Sequence, residues 1–318
     1  MRGYLIRRLL AVIPTLLLAS MLVFAVVRVI PGDIIDLMIS QHDVSEEEVT
    51  RETIRKVLGL DVPIHVQYYR WVKEIFLHGS LGDSMWRDRT VISEIVDRLP
   101  VTFELGIIAL VIGLSLAFPI GIYSAIRQDT AGDYVGRTIA ILGVAIPGFW
   151  LGTMIVVYPA LWWDWSPSIN LIPFREDPIK NMGTFLVPGA VLGFGMAGVT
   201  MRMTRAMMLE VLRQDYIRTA WAKGLRERIV IIRHAVKNAL IPVITLIGLQ
   251  LPILVGGTVI IEQIFVLPGM GLLMLEAIQQ RDYPIVTGVM GFIGLIVLAV
   301  NVLVDISYGF LDPKVRYN

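Results

Sequence analysis

The chain has 318 residues, of which 55% are hydrophobic and 17% are charged. A soluble domain typically has about 25% charged residues, so this composition excludes an ordinary soluble enzyme, a disordered protein and a secreted disulfide scaffold. The absence of cysteine excludes thiolate catalysis and metal sites built from Cys. The net charge of +1 gives no indication of a polyanionic partner such as a nucleic acid.

Six stretches without charged residues are each long enough for a helix to cross about 30 Å of hydrocarbon. In chain order they are Leu9–Val27, Leu105–Ile126, Thr138–Trp163, Asn181–Met201, Asn238–Ile261 and Tyr283–Val304. Because lipid cannot satisfy backbone hydrogen bonds, we predict that each stretch is helical. We expect the first to be a retained anchor, since no small-residue cleavage site follows it.

The distribution of Lys and Arg predicts the orientation in the membrane. The segment 202–237, between the fourth and fifth stretches, carries nine Lys and Arg, whereas the two short loops predicted on the other side carry only Arg175, Lys180 and Arg281. Short cytoplasmic loops are enriched in these residues, so both termini are predicted to be cytoplasmic. We therefore divide the chain into the first helix (1–30), an outer helical segment (31–100) and a five-helix core (101–318) with a cytoplasmic loop (202–237).

The outer segment carries its own helix signals and is predicted to be a small helical domain. Ser45 and Glu48 form a capping-box pattern before a first helix. Pro63 suits the start of a second helix, which is expected to end before Gly79. A third short helix is predicted over Val91–Leu99.

The membrane part lacks the residues that several other transport mechanisms need. The six stretches contain no ionisable side chain, which an ion-coupled carrier usually has. A P-loop is also missing, since Val199 follows Gly193–Gly198 where the phosphate-binding Lys is required. Gly189, Gly193 and Ala197 instead recur every four residues, which predicts close helix packing. We expect no metal, cofactor or nucleotide to be bound by this chain.

The predicted cytoplasmic loop contains signals for two helices. Asp215 is expected to cap a short helix, Tyr216–Lys223, and Gly224 is expected to end it in a left-handed conformation. A second helix over Arg226–Ala239 would carry one apolar stripe. That stripe consists of Ile229, Ile232, Val236 and Ala239.

The short helix has more apolar residues than a water-facing loop requires, namely Tyr216, Ile217, Ala220 and Trp221. These side chains could pack against the cytoplasmic ends of the chain's own helices. They could equally insert into a groove on a cytoplasmic partner, as amphipathic helices do. The residues themselves leave both interpretations open.

The stretch Arg218–Gly224 resembles the EAA loop of ABC-importer permeases, which has Glu-Ala-Ala, three further residues and Gly. Ala220 and Gly224 match that pattern, whereas Arg218 and Thr219 replace the Glu and the first Ala. The chain as a whole is similar to the first (B-type) subunit of the dipeptide/oligopeptide/nickel permease family. The matching stretches include Ile6-Arg7-Arg8-Leu9-Leu10, Pro31-Gly32-Asp33, Leu58-Gly59-Leu60-Asp61, Arg98-Leu99-Pro100, Gln214-Asp215-Tyr216, Asn238-Ala239-Leu240-Ile241-Pro242 and Asp312-Pro313.

The resemblance implies an all-α polytopic protein of the type I ABC importer permease fold, in a bacterial or archaeal cell membrane. It implies one half of a heterodimeric pore, with a second permease, two cytoplasmic ATPases that bind ATP and Mg²⁺, and an extracytoplasmic substrate-binding protein. Peptides are the first implied substrate class, followed by nickel complexes, glutathione-like peptides and glycosides. The implied coupling helix comprises Asp215, Tyr216, Ile217, Arg218, Thr219, Ala220, Trp221, Ala222, Lys223 and Gly224. The alternatives are an autonomous channel or ion-driven carrier and a membrane scaffold without a transport role.

Overall fold

The computed structural model describes residues 2–29, 59–168 and 170–311, together with Glu52 and Lys56. In this part of the chain the fold is all-helical, and extended pairing is limited to a bridge between Asp83 and Thr90. The predicted capping box of Ser45 and Glu48, with the first outer helix, lies outside the described residues. The helices are α1 (Arg2–Val29), α2 (Ile64–His78), α3 (Val91–Ile126), α4 (Ala131–Ala145), α5 (Gly148–Trp163), α6 (Pro178–Leu212), α7 (Asp215–Ala222), α8 (Glu227–Ile229), a π-helix (Val230–Val236), α9 (Lys237–Ile264), α10 (Met270–Gln280) and α11 (Tyr283–Leu311).

The predicted spans all correspond to apolar helices of the described chain. Four ranges are long and apolar enough to cross a membrane, namely Val91–Ile126, Pro178–Leu212, Glu227–Pro252 and Tyr283–Val304. The pair α4 and α5 forms one further candidate span, and Val12–Arg28 is a shorter apolar helix at the position of the first predicted span. The predicted polytopic all-α fold class is thereby confirmed.

The third predicted span, Thr138–Trp163, is not one straight helix. Helices α4 and α5 are bent by 94° at the break between them. Pro147 has no backbone N–H, and the residue before a proline disfavours the helical conformation. Ile146 accordingly adopts φ −83° and ψ 119°, so the helix ends there and restarts at Gly148.

Other helix boundaries also differ from the sequence prediction. The predicted helix over Val91–Leu99 and the second span form the single helix α3, which continues through Pro100. Proline is tolerated in long membrane helices where neighbouring groups satisfy the freed carbonyl. Helix α10 has no counterpart in the prediction. Helix α2 begins after Pro63 and ends where Gly79 takes φ +63°, as predicted.

The described chain divides into two compact units. One contains the described residues of 2–100 and 268–299, where Val91, Leu273, Ile285 and Val289 form the centre of an apolar core. In this unit the Arg87 guanidinium donates to Glu94 at 2.7 Å and to Glu276 at 2.8 Å. These ion pairs join the segment before α3 to α3 itself and to α10.

The second unit contains 101–267 and the described residues from 300 onwards, and its helices approach one another through small residues. A Cβ atom added at Gly189 would lie 2.6 Å from Ile108, and one at Gly113 would lie 3.0 Å from the Gly193 carbonyl oxygen. Ala197 is fully buried in a cluster with Ala117, Ala140 and Met201. The small residues Gly189, Gly193 and Ala197 therefore lie where α6 packs closely against its neighbours.

Candidate functional site: the loop between the fourth and fifth predicted spans

The predicted loop 202–237 is mostly helical. Helix α6 continues to Leu212, well beyond the charge-free stretch that ends at Met201. The eight-residue helix α7 follows after two residues, and a helical run begins again at Glu227. The part of the loop outside helices is therefore short, which holds α7 close to the ends of its neighbouring helices.

The ends of α7 are determined locally by Gln214 and Gly224. Gln214 is the N-cap residue, with extended backbone angles of φ −72° and ψ 148°. The prediction that Asp215 caps this helix is wrong, because Asp215 is the first residue of the helix and lies in its first turn. A carboxylate there still interacts favourably with the helix dipole. Gly224 adopts φ +75°, and its N–H donates to the Trp221 carbonyl at 2.9 Å, so the helix ends as predicted.

One face of α7 packs against other helices of the same chain. Ile217 is fully buried and Ala220 is 7% exposed. They belong to an apolar cluster that includes Met208 of α6 and Ala235 of the π-helix. Of the two interpretations left open by the sequence, packing against the chain's own helices therefore applies to Ile217 and Ala220.

The two aromatic side chains that flank this buried face of α7 are exposed. Tyr216 is 43% exposed and Trp221 is 45% exposed, and Leu225 follows at 38%. The Tyr216 hydroxyl accepts a hydrogen bond from Asn238 Nδ2 at 3.0 Å, which fixes the position of its ring. We name Tyr216, Trp221 and Leu225 the exposed aromatic face. Contact with a partner stays a prediction for these three side chains.

A π-helix places the following residues in an unexpected register. The predicted stripe of the second helix assumed α-helical spacing, but Val230–Val236 form hydrogen bonds of the wider π type. Val230 and Ala235 are buried together with Ala239 of the predicted stripe, and Val236 packs against them, while Ile229 and Ile232 are 40% and 56% exposed. A single inserted turn of this kind leaves no clear sequence signal.

An ion pair that the sequence analysis missed joins α4 to α6. The Arg205 guanidinium donates from Nε and Nη2 to the two carboxylate oxygens of Asp133 at 2.8 and 2.7 Å. Asp133 is fully buried and also accepts from the backbone N–H of Asp129. The Thr130-x-x-Asp133 capping pattern indicates a helix start here, but the sequence gives no indication of the distant Arg205.

Metal binding has no support in the described part of the chain. No group of three or more His, Asp or Glu side chains there could hold an ion.

Two family models match almost the whole chain. The model described as "Binding-protein-dependent transport system inner membrane component" matches residues 117–317, and its N-terminal counterpart matches residues 1–106. A crystal structure of an amino acid ABC transporter with histidines covers 68% of this chain and 92% of its own, with a TM-score of 0.51 and 11% identity. That similarity shows the fold alone, which is the ABC-importer permease fold.

Curated relatives are similar over their full length. A putative peptide transport system permease protein of Brucella abortus is 40% identical over 318 residues, covering 100% of both chains. The dipeptide transport system permease protein DppB of Escherichia coli strain K12 is 36% identical over 340 residues, covering 100% of this chain and 99% of its own. The glutathione transport system permease protein GsiC of Pectobacterium atrosepticum is 36% identical, with 100% of both chains covered.

These observations define a multi-pass inner membrane permease. The chain belongs to the family of inner membrane components of binding-protein-dependent transport systems, the permeases of ABC importers.

Proposed function

We propose that this chain forms one half of a heterodimeric permease that imports di- and oligopeptides. The observation that carries this proposal is the full-length similarity to permeases named for peptide and dipeptide transport. Glutathione, the substrate in the name of a third relative, is itself a small peptide. A peptide backbone is the chemical feature that these substrates share.

The complete transporter then contains a second, homologous permease, two cytoplasmic ATPases and an extracytoplasmic substrate-binding protein. The family description, binding-protein-dependent transport, supports this composition. The sequence has no P-loop, so ATP and Mg²⁺ are bound by the ATPase subunits. Both termini and the loop 202–237 face the cytoplasm, as the distribution of Lys and Arg favours. The outer segment 31–100 lies on the opposite side.

Helix α7 is the coupling helix in this proposal. Its buried face, with Ile217 and Ala220, transmits its position to α6 and to the π-helix. Its exposed aromatic face contacts the ATPase, since large aromatic side chains are typical anchors of protein interfaces. ATP must bind more tightly to one arrangement of the ATPase dimer than to the other, and α7 carries that difference in free energy to the pore.

Co-purification in a mild detergent tests the partners and the contact together. We expect the tagged protein to retain a P-loop ATPase and a second permease when it is purified from its native membranes. Trp221→Ala should reduce the amount of ATPase recovered by about tenfold or more, because interface aromatic residues often contribute 2 kcal/mol or more. The second permease should be retained, since its contact is a separate one.

Trp163→Ala is the matched control. Trp163 is 70% exposed and lies at the end of α5, on the side predicted to be external. Its replacement should leave ATPase recovery unchanged. Equal recovery with Trp221→Ala and wild type would contradict the assignment of the exposed aromatic face.

A further inference from the structure

A cavity of about 770 Å³ lies between α3, α4, α6 and α9, within the unit that contains residues 101–267. Ser124, Arg137, Arg202 and Leu246 each contribute to its wall from a different helix. Sites for small molecules usually occupy about 300–1,000 Å³, so the cavity has the size of a ligand site. Arg202 and Arg205 lie in the loop 202–237, which we predict to be cytoplasmic, and Arg137 precedes the third predicted span on the same side.

The wall of the cavity is positively charged. Arg137, Arg202 and Arg205 line it, and none of the other lining residues is acidic. Arg205 is neutralised by its two hydrogen bonds to Asp133. Within the described residues, no carboxylate forms an ion pair with Arg137 or Arg202. The guanidinium of Arg137 lies 5.5 Å from the ring of Tyr134 and remains exposed. Two positive charges are therefore available to a ligand.

A buried hydroxyl group in the same wall also lacks a partner. Ser124 is only 2% exposed, and its Oγ has no hydrogen-bond partner among the described residues. Buried polar groups are nearly always hydrogen-bonded, and an unsatisfied one costs about 1–3 kcal/mol. This oxygen has almost no accessible surface and lies against Gly136, so the two exposed arginines are the groups in this wall that can bind an anion.

We infer that this cavity binds the α-carboxylate of the transported peptide on the cytoplasmic side of the pathway, an inference that rests on the proposed function. Guanidinium groups bind carboxylates strongly because their N–H donors match the two carboxylate oxygens. Ile120 and Ile141 give the cavity an apolar part that accommodates peptide side chains. A phosphate of an anionic lipid has similar chemistry, and the experiment distinguishes it.

The absence of cysteine in the chain allows a labelling test on the assembled transporter. Ala206 lines the cavity and is exposed, so Ala206→Cys is a reporter position. The complex in phosphatidylcholine nanodiscs is labelled with N-ethylmaleimide, and labelling of this chain is followed by mass spectrometry. We expect dialanine to slow the labelling and dialanine amide, which lacks the carboxylate, not to do so.

Replacing both available arginines tests the assignment directly. With Arg137→Gln and Arg202→Gln, the dialanine concentration for half-protection should rise about tenfold or more, as expected for the loss of hydrogen bonds to a charged group. Arg213→Gln with Arg228→Gln removes the same charge from exposed positions that do not line the cavity, and should leave protection unchanged. Equal protection by the amide, or protection that survives in the Arg137/Arg202 variant, would overturn the inference.

Two further measurements separate the remaining explanations. Arginine-dependent protection by added phosphatidylglycerol, with none by dialanine, would identify a lipid headgroup site and overturn the assignment to the substrate. ATP-driven uptake by the wild-type complex tests the proposed function independently. Uptake that is intact while dialanine gives no protection would refute the carboxylate site alone, whereas protection without uptake would refute the proposed function alone.

Discussion

Gly224 shows how a single residue can determine the position of a functional helix. Its φ of +75° lies in the left-handed region, where a residue with a Cβ atom is strained by about 1–2 kcal/mol. No other atom lies within 4 Å of the place that a Cβ would occupy, so crowding adds nothing to the cost. The requirement for glycine is therefore conformational.

Gly224→Val should uncouple ATP hydrolysis from transport. A β-branched side chain tolerates the left-handed conformation poorly, so the end of α7 must rearrange and its contact with the ATPase weakens. We expect ATP-driven uptake in proteoliposomes to fall about tenfold while membrane insertion and basal ATP hydrolysis persist. Gly224→Asn is the control, because asparagine adopts this conformation more readily. Normal uptake by Gly224→Val would refute the coupling assignment.

Asp133 and Arg205 should respond unequally to replacement. Arg205→Gln leaves a fully buried carboxylate without its partner, whereas Asp133→Asn leaves a guanidinium whose side chain is still 21% exposed. We expect Arg205→Gln to be the more destabilising, by about 1–3 kcal/mol, and the double variant to recover part of that loss. Thermal unfolding of the purified variants shows which replacement destabilises the protein more. A larger loss for Asp133→Asn would contradict the burial of the carboxylate.

At the scale of elements, the segment before α3 is held against the loop that joins α10 to α11. Asp282 accepts hydrogen bonds from the Ser84 hydroxyl and from the backbone N–H of Met85. Trp86 Nε1 donates to the Gln280 carbonyl at 2.7 Å. Burial raises the pKa of Asp282 above its usual value, although the hydrogen bonds from Ser84 and Met85 act to lower it.

The raised pKa predicts the sign of a pH dependence. A carboxyl group with a raised pKa in the folded state contributes its full stability below the unfolded value of about 3.9, and loses it as the pH rises through the folded value. The melting temperature of wild type relative to Asp282→Asn should therefore fall as the pH increases from about 4 towards neutrality. Thermal scans of both proteins in the same detergent measure this difference. A difference that increases with pH would contradict the raised pKa.

Local signals predicted some elements well and others poorly. Helix α7 was predictable because Gly224 ends it through its own backbone, and the six apolar segments were predictable because lipid requires long apolar helices. The identity of the anchoring residues was not predictable. Ile217 and Tyr216 are adjacent in sequence and both have large apolar parts, and the position of α6 and the π-helix decides which one is buried.

The sequence did not predict the bend at Pro147, the π-helix or the Asp133–Arg205 ion pair, and the reasons are related. Proline is tolerated in membrane helices, so its presence alone did not predict a 94° bend. The π-helix changes the register without a compositional signal. The ion pair joins residues 72 positions apart, which only tertiary structure can bring together.

At the scale of the whole molecule, the chain has the fold and family of a permease, and its substrate pathway is proposed to be completed by a second permease. The rival explanation, an autonomous ion-driven carrier, needs ionisable groups deep in the membrane, which the charge-free stretches lack. The source of energy for transport therefore distinguishes the two.

The most direct measurement is uptake of a labelled dipeptide by proteoliposomes that contain this chain with its co-purifying subunits. The substrate-binding protein is added outside and ATP is enclosed inside. We predict that uptake requires both ATP and the binding protein and is insensitive to ionophores. Uptake by this chain alone, without ATP and abolished by an ionophore, would contradict its role as an ABC-importer permease.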